Sequence, residues 1–120
     1  GNPKVAFALV ALAGPVSNIL LAIGFGFIYQ LIKTSDIVLL EYLCIIAVRI
    51  NLFLAFFNLI PVPPLDGSRI LAAVLPDSMS DILHQIERYG FIILILAMNT
   101  GIFSGLVSTP ANLIARLLLS

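Results

Sequence analysis

Residues 5–32 read VAFALVALAGPVSNILLAIGFGFIYQLI, and no charged side chain interrupts them between Lys4 and Lys33. An α-helix rises about 1.5 Å per residue, so about 20 residues cross the roughly 30 Å of hydrocarbon in a bilayer. This stretch alone exceeds one crossing. The remainder is of the same character: the 120 residues are 61% hydrophobic and 10% charged, with a mean hydropathy of +1.16. Soluble domains are about half apolar and about a quarter charged. A chain this short has no interior large enough to hide the excess, so the composition predicts an all-α, multi-pass membrane protein with the lipid bilayer against its apolar surface. The formal net charge of zero gives no reason to expect a nucleic-acid partner. Cys44 stands alone inside an apolar run, where no internal disulfide is possible, and reads as a small apolar side chain.

Working outward, about three spans are expected, at 15–32, 37–58 and 90–107, within a single transmembrane domain over 1–120. Pro15 is well placed to open the first helix, with Ala6–Ala13 as a preceding extended or re-entrant piece; one kinked helix is the alternative. The polar turn Lys33-Thr34-Ser35-Asp36 is too short to join anything but antiparallel neighbours. The second stretch holds Glu41, Arg49, Asn51 and Asn58, and polar groups at membrane depth should face protein, water or headgroups. Between 77 and 89, Ile82, Leu83, Ile86 and Tyr89 fall at helical spacing behind a Ser78/Asp81 start signal. That pattern predicts an amphipathic interfacial helix, with His84 solvated. In the third stretch Gly101 and Gly105 form either a small-xxx-small packing face or a flexible helix end. Thr109-Pro110 should break it, leaving 111–120 as a further apolar helix from which Arg116 can snorkel. Lys4, Arg69 and Arg88 on one side against Lys33 and Arg116 on the other are too even to orient the chain. The start at Gly1-Asn2-Pro3-Lys4 has neither methionine nor a signal-peptide pattern, as expected of a chain that begins inside a longer protein.

Residues 58–67 carry the chemistry: Asn58-Leu59-Ile60-Pro61-Val62-Pro63-Pro64-Leu65-Asp66-Gly67. Three prolines in four residues cannot continue a helix. The break is followed by a carboxylate that would open the next helix, near its positive dipole end, and by a glycine that allows a turn with φ > 0. One reading is a turn with Asp66 as a cap. The other is a carboxylate aimed into a water-accessible pocket at membrane depth, where an ionisable group marks a functional site.

The string NLIPVPPLDGSRI resembles the second signature of the site-2 protease family of intramembrane zinc metalloproteases, the peptidase M50-like enzymes. That signature is an Asn, then Pro, then Leu-Asp-Gly late in a spanning helix. ALAGPVSN, Ala11 to Asn18, is similar to the Gly-Pro-x-x-Asn element of the preceding core helix, and NPKVAF, from Asn2, looks like the segment before that element. The resemblance covers residues 2–75. It implies that Asp66 is the third protein ligand of a catalytic zinc. It further implies that Asn58 helps to engage an unwound transmembrane substrate, its structural alternative being a hydrogen bond that caps the break. Pro61, Pro63 and Pro64 would shape the break, and Gly67 would allow close backbone approach; Gly14, Pro15 and Asn18 read as structural, Asn18 holding helices together by hydrogen bonding. The implied activity is hydrolysis of peptide bonds in transmembrane substrates, as in regulated intramembrane proteolysis.

The departure from the family is as plain as the likeness. These enzymes carry His-Glu-x-x-His, two zinc-binding histidines one turn apart with a glutamate as general base. The single histidine here, His84, lies downstream without that pattern, and Glu41 and Glu87 have no histidine at the needed spacing. One aspartate cannot hold a catalytic zinc, so the chain by itself is expected to be inactive. The missing ligands are expected on N-terminal helices of the same protein. Two rival readings stay open: a non-catalytic membrane binding protein of the same fold, and a transporter or channel fragment, since broken helices also build ion sites.

Overall fold

Five α-helices and a short 3-10 turn account for almost all of the computed structural model, which describes residues 3–120. Gly1 and Asn2, including the residue that opens the NPKVAF lead-in, lie outside the described residues. The elements are α1 (Pro3–Ile32), α2 (Val38–Asn58), α3 (Asp66–Val74), the turn Asp77–Met79, α4 (Ser80–Thr100) and α5 (Ile102–Leu119), with no strand among the described residues. Helices α1, α2 and α5 are long and apolar enough to cross a membrane. The all-α fold with three such helices agrees with the composition.

Two expected boundaries are corrected. The first span does not begin at Pro15: α1 is continuous from Pro3, with Pro15 buried inside it. Proline removes one donor and crowds the carbonyl four residues back, but a helix in lipid has no water to unravel into, and neighbouring helices tolerate the defect. The third span is not 90–107. Gly101, at φ 73°, ends α4 in the left-handed region, a common helix stop that a residue without Cβ adopts at little cost. The Ser104 amide and hydroxyl both donate to the Gly101 carbonyl, at 3.2 and 2.8 Å, starting α5. The expected interfacial helix therefore fuses with 90–100 into α4, and the candidate span is α5, which passes through Pro110 without a break. The 11 residues 90–100 left at the end of α4, the last two of them polar, reach about 16 Å, too short to cross. Among the described residues no other helix packs on Gly105, where a built Cβ meets nothing within 4 Å.

Helix α2 returns antiparallel along α1, α3 folds back onto α1, and α5 packs mainly on α2. Gln30 Nε2 donates to the carbonyls of Leu118 (2.8 Å) and Ser120 (3.1 Å), and Lys33 Nζ to that of Ser120 (3.3 Å). These bonds tie the C-terminal ends of α1 and α5 together, so the two helices run parallel. Small residues let the backbones close: Ala22, Ala111 and Ala115 surround Val48 and Leu52, and a Cβ on Gly26 would stand 3.0 Å from Leu118 Cβ. A second cluster, Ile60, Leu65, Leu94 and Val107, sits beneath the proline-rich loop.

The molecule is a thin slab of 58 × 38 × 18 Å with a radius of gyration of 17.2 Å, against about 14 Å for a compact chain of this length. Spread in this way it covers little of itself: no more than 22% of any candidate span is buried. Phe7, Leu31 and Leu117 stand at least 65% exposed. Lipid or further helices must cover these faces.

Candidate functional site

The loop 59–65 meets a severe requirement. Near lipid, every backbone N–H needs a partner within the protein. Pro61, Pro63 and Pro64 have no N–H to satisfy. The other four residues are all paired: Leu59 N donates to Phe56 O (3.2 Å), Ile60 N to Phe57 O (3.1 Å), Val62 N to Ile60 O (2.8 Å) and Leu65 N to Val62 O (2.9 Å). The prolines thus do more than stop α2; they remove the donors that an irregular segment could not have satisfied. The Pro63–Pro64 peptide is cis.

Helix α3 starts at Asp66 directly over the end of α2. A Cβ added to Gly67 would lie 2.1 Å from the Leu59 carbonyl oxygen and 2.5 Å from that of Ile60. No side chain fits there. The expectation of a positive φ at Gly67 is corrected: among the described residues only Gly101 adopts one. Gly67 is required by contact, not by backbone conformation. Gly90 plays the matching part from α4, where a Cβ would stand 2.7 Å from Pro63 O and 2.8 Å from Pro63 Cβ. Sequence reasoning took Gly90 for a boundary between an amphipathic and an apolar run; a small residue there was the only signal of the contact.

Asp66 is half-buried in the first turn of α3, near the positive end of that helix. Its Oδ2 faces α1, where a Cβ on Gly14 would approach to 3.0 Å. Asn18 lies one turn along α1 from Gly14, on the same side of the helix, and is half-buried. The structure thus brings Gly14 and Asp66 together from segments more than fifty positions apart, with Gly67 adjacent. Pro15 packs in the interior, while Pro61 and Pro64 are exposed on the outer side of the loop. Asn58 donates from Nδ2 to Leu54 O at 2.9 Å, a bond within its own helix and not across the break. None of five surface cavities on the molecule is lined by Asp66.

Among the described residues no three His, Cys, Asp or Glu side chains converge to enclose a metal. His84 is exposed, 3.6 Å from Glu87 Oε2 on the same helix. As donors, the residues present fit one carboxylate ligand of a zinc site and not a complete set. Near the start of α1, Lys4 pairs with Asp77, whose carboxyl is held below its ordinary value by that hydrogen bond and by the lysine charge. Lys4, Phe7, Arg69, Ala72 and Glu87 line a cavity of about 350 Å³ there.

Three helices long and apolar enough to cross a membrane define the class, an all-helical membrane protein, and comparison with known sequences gives the family. The profile of peptidase family M50 matches residues 24–98, and the chain belongs to that family. It is 38% identical over 111 residues to a Bacillus subtilis protein named "Putative zinc metalloprotease YwhC", covering 86% of this chain and 50% of the relative. It is 44% identical over 62 residues to "Putative zinc metalloprotease MJ0611" of Methanocaldococcus jannaschii, covering 52% of this chain and 31% of the relative. The chain thus spans half or less of the length of these curated relatives. No solved structure matches significantly.

Proposed function

We propose that this chain is part of a multi-pass intramembrane zinc metalloprotease that hydrolyses peptide bonds of transmembrane substrates, and that Asp66 is its third zinc ligand. The observation that carries the reading is the placement of one carboxylate at the proline-rich break, against a glycine of α1. Lys4 and Lys33 are 29 residues apart on and just beyond α1, about 44 Å along a helix, which matches a bilayer with its headgroups. Gly14 lies about 15 Å from the Lys4 end on that scale, inside the hydrocarbon, and Asp66 abuts it. A carboxylate there is costly unless a cation neutralises it.

A zinc ion, when bound, supplies an acidified water that is nucleophilic at neutral pH. The chain's own residues do the rest of what can be assigned here. Asp66 offers a negative charge fixed at a helix start. Gly14 leaves the space for it, and Gly67 allows α3 to start hard against α2. Pro61, Pro63 and Pro64 hold the break open without unpaired donors. Asn58 spends one amide hydrogen on Leu54, leaving a second and the amide oxygen for an unwound substrate strand. The remaining zinc ligands would come from N-terminal helices of the same protein.

The test is Asp66→Asn in the full-length protein, with Asp81→Asn as control. Cleavage of a tagged transmembrane substrate and zinc per protein molecule are both measured. Cleavage is expected to fall by more than about 100-fold, since even outer-shell losses cost 10- to 100-fold, and zinc content should fall with it. Unchanged proteolysis by Asp66→Asn overturns the assignment. Ion flux that responds to this substitution in a zinc-free protein would establish the transport reading instead.

A further inference from the structure

Arg49 has no role in the reading above. It sits 11 residues after Val38 and 9 before Asn58, about 16 Å and about 14 Å from the two ends of α2. Neither end is within reach of an arginine side chain, so its guanidinium, which keeps its charge in proteins, cannot snorkel to a headgroup. Nor is it tucked away: the residue is exposed, and among the described residues no hydrogen bond or ion pair engages it.

What surrounds Arg49 is a cleft of about 200 Å³ between α2 and α5, shared with Phe53, Ser108, Asn112 and the small residues Ala111 and Ala115. Two further polar side chains, both from α5, thus line the same cleft at mid-span. Phe53 also lines the next cavity along the same groove, with Phe57, Met98 and Phe103 among its other lining residues. The groove is charged and hydrogen-bonding at the centre of the span and aromatic toward the break.

A lone cation at this depth calls for an anion at the same depth. The six acidic residues of the chain are Asp36, Glu41, Asp66, Asp77, Asp81 and Glu87. Glu41 lies about 12 Å up α2, and the others lie beyond one end or the other of that helix. A second copy in the same orientation would bring the same acids to the same levels, none of them opposite Arg49. Lipid phosphates stay at the headgroup layers.

We infer that the α2–α5 groove docks a partner transmembrane helix that carries one aspartate or glutamate near its centre. Arg49 pairs with that carboxylate, Asn112 and Ser108 supply hydrogen bonds beside it, and Phe53, Phe57 and Phe103 pack against the helix toward the break. Ala111 and Ala115 keep the cleft open enough for the two side chains to meet. The inference does not rest on Asp66 as a metal ligand.

The test uses the full-length protein in phosphatidylcholine vesicles, with association followed by energy transfer to labelled synthetic helices of leucine and alanine. One helix has a central Asp, one a central Asn and one an Asp near its end. The central-Asp helix should bind at least tenfold tighter than the other two. The preference should vanish in Arg49→Gln, survive in Arg49→Lys and survive in Asp66→Asn, which separates it from the zinc reading. Equal affinities for the wild-type protein overturn the proposal, as they would if another segment of the same polypeptide or a second copy already filled the groove. So does a preference that persists in Arg49→Gln, or tighter binding of the helix with the terminal acid.

Discussion

Two apolar runs of this chain are interrupted, one at 59–65 and one at Gly101, and the two interruptions are built on opposite principles. The first is a packed joint. Three prolines strip it of donors, its four remaining N–H groups are paired, and glycines at 67 and 90 let α3 and α4 press against it from two sides. The second is a swivel of one residue. Gly101 turns the chain with a positive φ, Thr100 and Ser104 bond only to carbonyls nearby, and a Cβ on Gly101 would find no atom closer than Ser104 Oγ at 3.9 Å. Prolines alone do not explain the contrast, since Pro15 and Pro110 lie within unbroken helices. A joint packed from two sides can keep one carboxylate in a defined place; a swivel cannot. Asp66 follows the joint.

The comparison can be broken most decisively at function. Asp66→Asn should lower proteolysis by the full-length protein by more than about 100-fold, whereas Ser104→Ala at the swivel should leave it unchanged; the same cleavage assay reads both. Packing is the next level. Gly67→Ala forces a methyl against two carbonyl oxygens and should destabilise by about 3 kcal/mol, measured by denaturant titration in detergent. Gly90→Ala meets one carbonyl and a proline ring and should cost about 2 kcal/mol in the same titration. At the swivel, Gly101→Ala meets open space and is penalised only for its left-handed backbone, by about 1 kcal/mol. A Gly101→Ala cost larger than that of Gly67→Ala would erase the distinction between the two breaks.

The smallest expected effect is the pH dependence of the Lys4–Asp77 pair. Lys4 lowers the Asp77 carboxyl below its ordinary value of 3.8, so the folded state binds that proton less readily than the unfolded one. The contribution is therefore present above 3.8 and lost as pH falls through the lowered folded value. Because Asp77 is exposed, the contribution should also weaken with salt. The stability difference between wild type and Lys4→Gln should accordingly narrow on acidification into that range, and narrow again in high salt at neutral pH.

How much of this was legible beforehand depends on the range of the interaction. The helix break and Asp66 at the head of the next helix could be read from three prolines and an Asp-Gly pair, because proline acts on its own backbone and on that of its neighbours. The uninterrupted passage through Pro15 and Pro110 could not. Whether a proline stops a helix in an apolar run depends on what packs around it, and residues 3–14 and 102–109 keep their helical form on either side. Gly101 stayed open between two readings for the same reason: a glycine in an apolar stretch is compatible with both a packing face and a helix end. The roles of Gly67 and Gly90 lay outside any local pattern, since each is defined by an atom on another element.

From the sequence alone came the membrane character, the all-helical architecture, the antiparallel return at 33–36 and the proline-rich break that follows Asn58. All of these follow from terms that act within a few residues of the chain or sum over its composition. Only the tertiary structure decided that Gly14 meets Asp66, that α5 and not 90–107 is the third candidate span, and that Arg49 shares a cleft with Asn112 and Ser108. The first and last of these join segments 50 or more positions apart, and they exist because small residues at the crossings let particular helix faces close, a steric outcome that no single stretch of the chain contains.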